Sequence, residues 1–331
     1  MRFPIALPLA GLLLSGCFAP SEDALVVYCA HDANFSQQVL EDFERETGIA
    51  VDVRFDTEAT KSLGLVNLII REANAPRCDV FWNNQTLGTI DLANRGLLET
   101  YKGPGYERIP DRYKDPAGLW CGFAGRLRVW IVNTNEMPAD RDAIETAFRE
   151  RLADFTYAKP MFGTTLSHYC VLASELGLEE LQSLDERFRE TATTAASNGQ
   201  TRDLVAAGTC AFGWTDTDDY FGAIDNGKPV GMSPVEIGEA TICIPNSVGI
   251  VKGTKRRAQA ERLVDYLLSR EVELRLANSE SRQIPLGDVG DAELPEEVGD
   301  LVPYAARGVD LSRAAERRTA VLEWLMSVYA N

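Results

Sequence analysis

The sequence predicts an α/β protein of two lobes, each a parallel or mixed sheet flanked by helices, with a ligand cleft between them. Three observations carry this. Short apolar runs alternate with segments of helical period, one strand-like run at 126–133 leaves the first half of the chain, and another at 240–251 returns to it. The 331 residues are 45% hydrophobic, enough for a core in each of two domains. Thirty-three basic against fifty acidic residues give a net charge of −17, which repels phosphate backbones and excludes nucleic acid as a partner. With 25% charged residues and no low-complexity tract, a coiled coil or fibrous repeat is excluded too.

The chain begins with Arg2, an apolar run over 3–14 and Leu14-Ser15-Gly16-Cys17. That run is too short for a permanent membrane helix and reads as a signal peptide over 1–17. Leu-Ser-Gly-Cys resembles the bacterial lipobox, which implies that Cys17 is lipidated and becomes the new N-terminus, with 18–23 as tether. An ordinary cleaved signal with an incidental Cys17 is the alternative. The expected product is a soluble body on the extracytoplasmic side, touching the membrane through its lipid anchor only. Cys29, Cys78, Cys121, Cys170, Cys210 and Cys243 have no zinc-like spacing, and both disulfides and buried free thiols remain open for them.

The continuous apolar run 24–30 has the pattern of a strand buried on both faces. Phe35, Val39, Leu40 and Phe43 then fall at helical spacing and Gly48 is the stop signal. Val51–Phe55 alternates as a strand, Leu65, Leu68 and Ile69 share a helix face, and 79–82 is a third strand. This β-α-β-α-β order implies a parallel sheet whose loops 31–34, 56–62 and 82–85 share one rim, where ligands bind. Beyond the strand at 126–133 the α/β rhythm continues with helices near 163–165 and 181–191 and a strand at 211–214. After the return strand, which Pro245-Asn246 interrupts, helices follow at 258–268, 271–278 and Leu311–Tyr329. Lobe 1 is therefore 24–127 plus 243–305, lobe 2 is 128–242, and 306–331 is a C-terminal helix packed on the body. Two lobes joined by crossing segments form a clamp.

These pieces resemble a periplasmic solute-binding protein of an ABC importer, extracellular family 1, in the class that includes the ferric-iron-binding proteins. The residues that carry the resemblance are Val27-Tyr28 with His31, Thr47-Gly48-Ile49, Asp79-Val80-Phe81-Trp82, Gly96-Leu97-Leu98-Glu99, Gly125-Arg126 with Arg128-Val129, Ile244-Pro245-Asn246 with Gly249-Ile250-Val251, and the run Leu263 to Ser269. The resemblance implies permease and ATPase partners and transport of a captured solute, a metal ion among the candidates, with no resident cofactor. Iron-binding members use a histidine in the first loop, a glutamate after the third strand and two adjacent tyrosines, hard donors suited to Fe(III). Here His31 stands at the first position, Asn84 at the second, and Asp216-Thr217 where the tyrosines would be. The tyrosine pair is absent, so iron does not carry over directly.

The candidate ligand residues lie on the rim loops. Asp216, Asp218 and Asp219 follow a strand and converge on one cation or cap the next helix. With His31 they make a metal set of His31, Asp216 and Asp218, and Thr217 lies among them. His168, the second of only two histidines, sits about a turn into a helix and is either structural or a ligand contact. Gly163, Thr164 and Thr165 open a helix, and Thr60, Lys61 and Ser62 form a similar group; each is an anion seat or a simple cap. Asp32, Trp82, Asn83 and Asn84 complete the lining, and Arg126 either reaches an anionic group or ties the lobes by an ion pair. Metal ions, zwitterions and small organic anions such as a phosphonate or sugar phosphate all stay open as ligands. No nucleophile elbow or HExxH motif supports a hydrolase, and a ligand-sensing lipoprotein would use the same cleft.

Overall fold

The computed structural model describes residues 23–56 and 63–329. Thus Cys17, the tether up to residue 22, Thr60, Lys61 and Ser62 lie outside the described residues. The elements in chain order are β1 (Leu25–Cys29), α1 (Ala33–Thr47), β2 (Val51–Phe55), α2 (Leu63–Arg71), β3 (Val80–Asn83), α3 (Leu87–Asn94), β4 (Leu98–Glu99), α4 (Pro104–Arg108) and the long β5 (Cys121–Asn133). They continue with α5 (Arg141–Glu150), β6 (Phe155–Ala158), α6 (Gly163–Leu176), α7 (Leu178–Thr191), β7 (Thr193–Ala195), α8 (Asn198–Ala206), β8 (Phe212–Asp216), α9 (Thr217–Asp225) and β9 (Val230–Pro234). The hairpin β10 (Glu236–Ile237) and β11 (Ala240–Thr241), then β12 (Cys243–Val251), α10 (Arg257–Leu267), α11 (Arg270–Ala277), the short α12 (Glu296–Gly299) and α13 (Val302–Ala305), and α14 (Leu311–Tyr329) complete the chain.

Strands follow the order β2-β1-β3-β12-β5-β8-β6-β7. β1 pairs in parallel with β2 and β3, and β6 with β7 and β8, while β5 and β12 run antiparallel to their neighbours. The mixed sheet flanked by helices is the two-lobed architecture that the alternation predicts. β5 is the bridge between halves. It pairs with β12 through Leu127 and with β8 and β9 from Arg128 or Val129 onward.

Local chemistry explains the elements. α1 stops at Gly48, whose φ of 70° suits a residue without Cβ and lets its N–H reach the Glu44 carbonyl at 2.8 Å. β12 does not stop at Pro245; it stays buried throughout and absorbs the missing N–H by a register shift against β5 at that point. Opposite this shift Ala124 takes φ 45°, and its N–H donates to Glu273 Oε1 at 2.8 Å. The fully buried Glu273 carboxylate also accepts from Leu286 N at 2.9 Å, Gly287 N at 3.1 Å and the Arg108 guanidinium at 2.8 and 2.9 Å. Burial pushes this carboxyl above its ordinary range, against the pull of those donors.

Apolar packing does not stop at the lobe boundary. One core fills lobe 1 with Val27, Phe43, Val80, Trp82 and Leu263. Another runs from Phe81, Leu87 and Ile90 through Leu311, Val321 and Leu325 of α14 to Phe155, Phe188 and Trp214 in lobe 2. α14 is fastened at both sides, by Arg318 to Asp91 of α3 at 3.0 Å and by the Tyr329 hydroxyl to Asp185 of α7 at 2.7 Å. Cys29, Cys78, Cys121, Cys170, Cys210 and Cys243 are all buried free thiols, which decides against disulfides among them.

Because Glu273 holds the bulged crossing strand, Glu273→Ala is expected to cost about 3 to 5 kcal/mol, the range for breaking a buried ion pair. The check is the urea midpoint at constant m value. A loss below about 1 kcal/mol, the range of exposed pairs, would mean that water replaces the carboxylate without penalty.

Candidate functional site

The carboxyl ends of the parallel strands open into one cleft of about 400 Å³. Asp32 follows β1, Asn84 follows β3, Lys159 follows β6, Ala196 follows β7, and Asp216 ends β8, the position at which open α/β sheets receive ligands. Arg126 reaches in from β5, and the first residues of α6 (Gly163, Thr164, Thr165) and the start of α8 (Ser197, Asn198, Gly199) form the lobe 2 wall. Asp218 and Asp219 of α9 and Phe162 at the mouth complete the lining.

A buried ion pair organises this wall. Arg128 and Asp216 face each other across β5 and β8, with Nη1 2.6 Å from Oδ1, and are 0% and 3% exposed. The other carboxylate oxygen accepts from the Thr164 hydroxyl at 2.5 Å and from Asn198 Nδ2 at 3.1 Å. Asn198 Oδ1 in turn accepts from Arg128 Nη1 at 3.2 Å and Thr165 Oγ1 at 2.9 Å. One carboxylate thereby ties the starts of α6 and α8 to the central strands. Asp216 occupies the N-cap position of α9 but makes no side-chain cap hydrogen bond, so the capping role that the sequence allows is not the one it plays.

Of the two roles that the sequence left open for Arg126, the structure shows the ion pair. Arg126 lines the cleft, donates to the Asn84 carbonyl, and sits 3.4 Å from Asp218 Oδ2, joining the lobes. Burial opposes its charge, but Asp218, Asp216 and Asp32 outweigh that and raise its pKa. Asp218 is itself raised, by burial first, despite Arg126. Asp219 is pushed up to about 7 by burial and then by the neighbouring Asp218 and Asp216.

Of the residues predicted from sequence, Asp32, Asn84, Arg126, Gly163, Thr164, Thr165, Asp216 and Asp218 meet in the cleft. His31, Trp82, Asn83, His168 and Thr217 do not line it. Trp82 is fully buried in the lobe 1 core, Asn83 donates to Thr89 Oγ1 at 3.2 Å, and Thr217 Oγ1 receives the Leu127 N–H at 3.4 Å. His31 is 3% exposed. Its Nε2 faces Gln283 Nε2 at 2.7 Å, and since Gln283 Oε1 accepts from Asn246, the amide donates and the proton stays on Nδ1. The expected set His31, Asp216 and Asp218 is therefore corrected: the oxygens that converge within 4.8 Å belong to Asp216, Asp218 and Asp219. His168 is fully buried behind Arg128, whose Nε lies 3.4 Å from Nδ1, and burial plus that guanidinium hold its pKa well below the ordinary value.

The sequence reading missed Lys159, Phe162, Ser197, Asn198, Gly199 and the buried Arg128 as site residues. A signal existed for the α8 start. Ser197 and Gln200 have the Ser-x-x-Gln spacing of a helix start; Ser197 Oγ accepts from Gln200 N at 3.1 Å, and Gln200 Oε1 accepts from Ala196 N, one residue before the N-cap, at 2.6 Å. Lys159 had none, being one basic residue among thirty-three until β6 carries it to the rim.

The family model described as bacterial extracellular solute-binding protein matches residues 25–277. The chain belongs to that family. It is a family of solute-binding proteins, not of enzymes. Over 132 residues it is 26% identical to the Fe(3+)-binding periplasmic protein of Serratia marcescens, spanning 39% of this chain and 38% of that protein. Its fold is similar to that of the ferric binding protein from Campylobacter jejuni, with TM-score 0.80, 19% identity and coverage of 92% and 99%. It is also similar to the periplasmic binding protein AfuA from Actinobacillus pleuropneumoniae with fructose-6-phosphate bound, at TM-score 0.75, 19% identity and coverage of 93% and 98%. These likenesses in solved structures are of fold.

Asp219 yields a test of the cleft's electrostatics. Its folded pKa of about 7 lies above the roughly 3.9 of an unfolded aspartate, so between these values the folded state holds a proton that the unfolded state has released. This group's contribution to stability therefore declines as pH rises through that window. Asp219→Asn is expected to flatten the decline, gaining on the unsubstituted protein from acid to neutral pH in urea titrations. Parallel pH profiles would show that Asp219 ionises as freely as in water.

Proposed function

We propose that this protein is the lipid-anchored receptor of an ABC importer and that it captures a small organic phosphate or phosphonate between its lobes, delivering it to permease and ATPase subunits. The observation that carries the ligand class is the lobe 2 wall. α6 begins at Gly163, whose φ of 54° suits glycine, and no side chain caps its first turn, so its leading N–H groups and dipole meet the cleft. The start of α8 opens into the same space. Beside them Lys159 meets no carboxylate among the described residues; its Nζ packs 5.9 Å from the centre of the Tyr329 ring. Arg126 adds a guanidinium whose Nε has no partner. Two helix starts and two cations suit a compact anion, and about 400 Å³ suits a small organic molecule. Within the acidic cluster Arg128 neutralises Asp216, and Asp218 faces Arg126 at 3.4 Å.

A ferric ion is the second reading, favoured by the convergence of Asp216, Asp218 and Asp219 and by the Serratia relative's iron-binding name. Against it, both Asp216 oxygens are engaged by Arg128, Thr164 and Asn198, and the tyrosine pair of the iron-binding class is absent. The anchor rests on Cys17 in Leu14-Ser15-Gly16-Cys17.

Calorimetric titration with sugar phosphates, ethylphosphonate, inorganic phosphate and ferric citrate decides between the readings. A phosphorus oxyanion is expected to bind one to one, and Lys159→Gln to weaken it by about tenfold, or 1.4 kcal/mol, with an unchanged melting temperature. Binding of ferric citrate alone would transfer the site to iron. For the anchor, Cys17→Ser is expected to move the protein from the membrane fraction to the soluble fraction of cells; continued membrane association would remove the lipoprotein assignment.

A further inference from the structure

One large apolar side chain stands on the wall that offers the helix starts. Phe162 occupies the N-cap position of α6, directly before Gly163, and lines the cleft while remaining 37% exposed. Its backbone is extended, and its carbonyl accepts the Leu166 N–H at 3.1 Å. Among the described residues it belongs to none of the apolar cores. A single apolar side chain on an outer surface needs no explanation, but this one faces the ligand space. N-cap positions favour Ser, Thr, Asp and Asn, whose oxygens take up the first N–H groups of the helix, and Phe has no such acceptor. The neighbouring helix shows the ordinary arrangement, since Ser197 at the start of α8 accepts from Gln200 N at 3.1 Å. The helix whose first turn lacks a side-chain cap is therefore the one that Phe162 precedes.

A second observation, independent of the helix, points to an anion in this cleft. Arg126 is 4% exposed and lines the cavity, yet its Nε is a buried donor with no partner. Leaving such a donor unpaired is costly, and an oxyanion removes the cost. An oxyanion held at the first turn of α6 carries its organic substituent close to Phe162, because adjacent Cα atoms are only about 3.8 Å apart. The rest of the described lining offers carbon little contact. Ala158 and Ala196 add methyl groups, and apart from Gly163 and Gly199 the other side chains end in charges, amides or hydroxyls. A space of about 400 Å³ leaves room for a substituent beyond the oxyanion.

We propose that Phe162 determines specificity, and that the cargo is a phosphonate or phosphate monoester whose organic part lays an apolar face on the Phe162 ring. This rests on the anion-seat reading above and adds the part of the ligand which that reading leaves open. Contact removes both apolar surfaces from water, and a ring on the ligand gains further from offset stacking. Inorganic phosphate leaves the Phe162 ring wet. An ester that is polar on every side loses water from its hydroxyls against carbon and receives no hydrogen bond in return.

The test compares phenylphosphonate with ethylphosphonate, which share the oxyanion and differ in apolar surface, by calorimetry on the purified protein at a pH where both are fully ionised. The phenyl compound is expected to bind about tenfold tighter, the ratio that corresponds to roughly 55 Å² of additional apolar surface removed from water. Phe162→Ala is expected to narrow the ratio to less than about threefold while changing ethylphosphonate affinity by less than about threefold. Phe162→Gln, of similar length but polar, serves as the second variant should the first fail to fold. Serine is avoided because it would cap α6 and compete with the oxyanion. Equal affinities in the unsubstituted protein, or a preference for the ethyl compound, overturn the Phe162 contact and leave the anion seat standing. Persistence of the full preference in the variants overturns it as well. So does an equal loss for both ligands, which would assign Phe162 to lobe closure. If neither phosphonate binds, the anion seat itself falls and the inference falls with it.

Discussion

The buried pair of Arg128 and Asp216 is the constraint on which the rest of the site depends. The two residues sit opposite each other where β5 has just left β12 for β8, so the pair forms at the point where the chain passes between lobes. Two charges removed from water are costly unless their hydrogen-bonding capacity is filled, and here Thr164 and Asn198 donate to the Asp216 oxygen that Arg128 leaves open. Those two side chains belong to the first turns of α6 and α8. The need to satisfy one carboxylate thus fixes the position of both helix starts, and with them the donors of the cleft. The pair is not fully satisfied: Arg128 Nη2 has no partner, so the network still carries some cost at the centre of the site.

The proposed capture of a small anion does not conflict with a net charge of −17. Net charge governs the long-range field, which disfavours extended polyanions, whereas a guest of a few atoms responds to the groups within a few ångströms. In the cleft Lys159, Arg126 and two helix N-termini supply positive potential at short range, and Asp216 is already neutralised from behind. The same arrangement shows why acidic residues in a sequence cluster have unequal roles. Asp216 is structural, Asp218 leans toward Arg126, and Asp219 keeps an oxygen without a close donor.

The legible parts of the fold were those where periodicity is strong. β1, α1, β2, α2 and β3 follow from an apolar run, a helical stripe ending in Gly48, an alternating strand and their repetition, because each pattern reflects burial on a defined number of faces. β6 and α8 were missed, being short and without a long stripe, yet they deliver Lys159 and Asn198 to the site. The histidines misled for a physical reason. Both lie at strand-to-helix transitions, where ligand contacts are common, but His31 is turned onto Gln283 across 252 residues of sequence and His168 lies behind Arg128. Sequence spacing reports which element a side chain is on; it does not report what lies beneath it.

What the sequence by itself determined was the alternation of strands and helices, the rim on which ligand residues gather, the acidic cluster after β8 and the absence of the tyrosine pair. Those follow from local pattern and residue chemistry. Only the tertiary structure decided that Asp216 would be held by Arg128, that Lys159 and the starts of α6 and α8 would share one cleft, and that Cys29, Cys78, Cys121, Cys170, Cys210 and Cys243 would be buried without disulfides among them. Each of these turns on groups far apart in the chain meeting at distances of a few ångströms, and a charge's partner, burial and ionisation are set by that meeting and not by its neighbours in sequence.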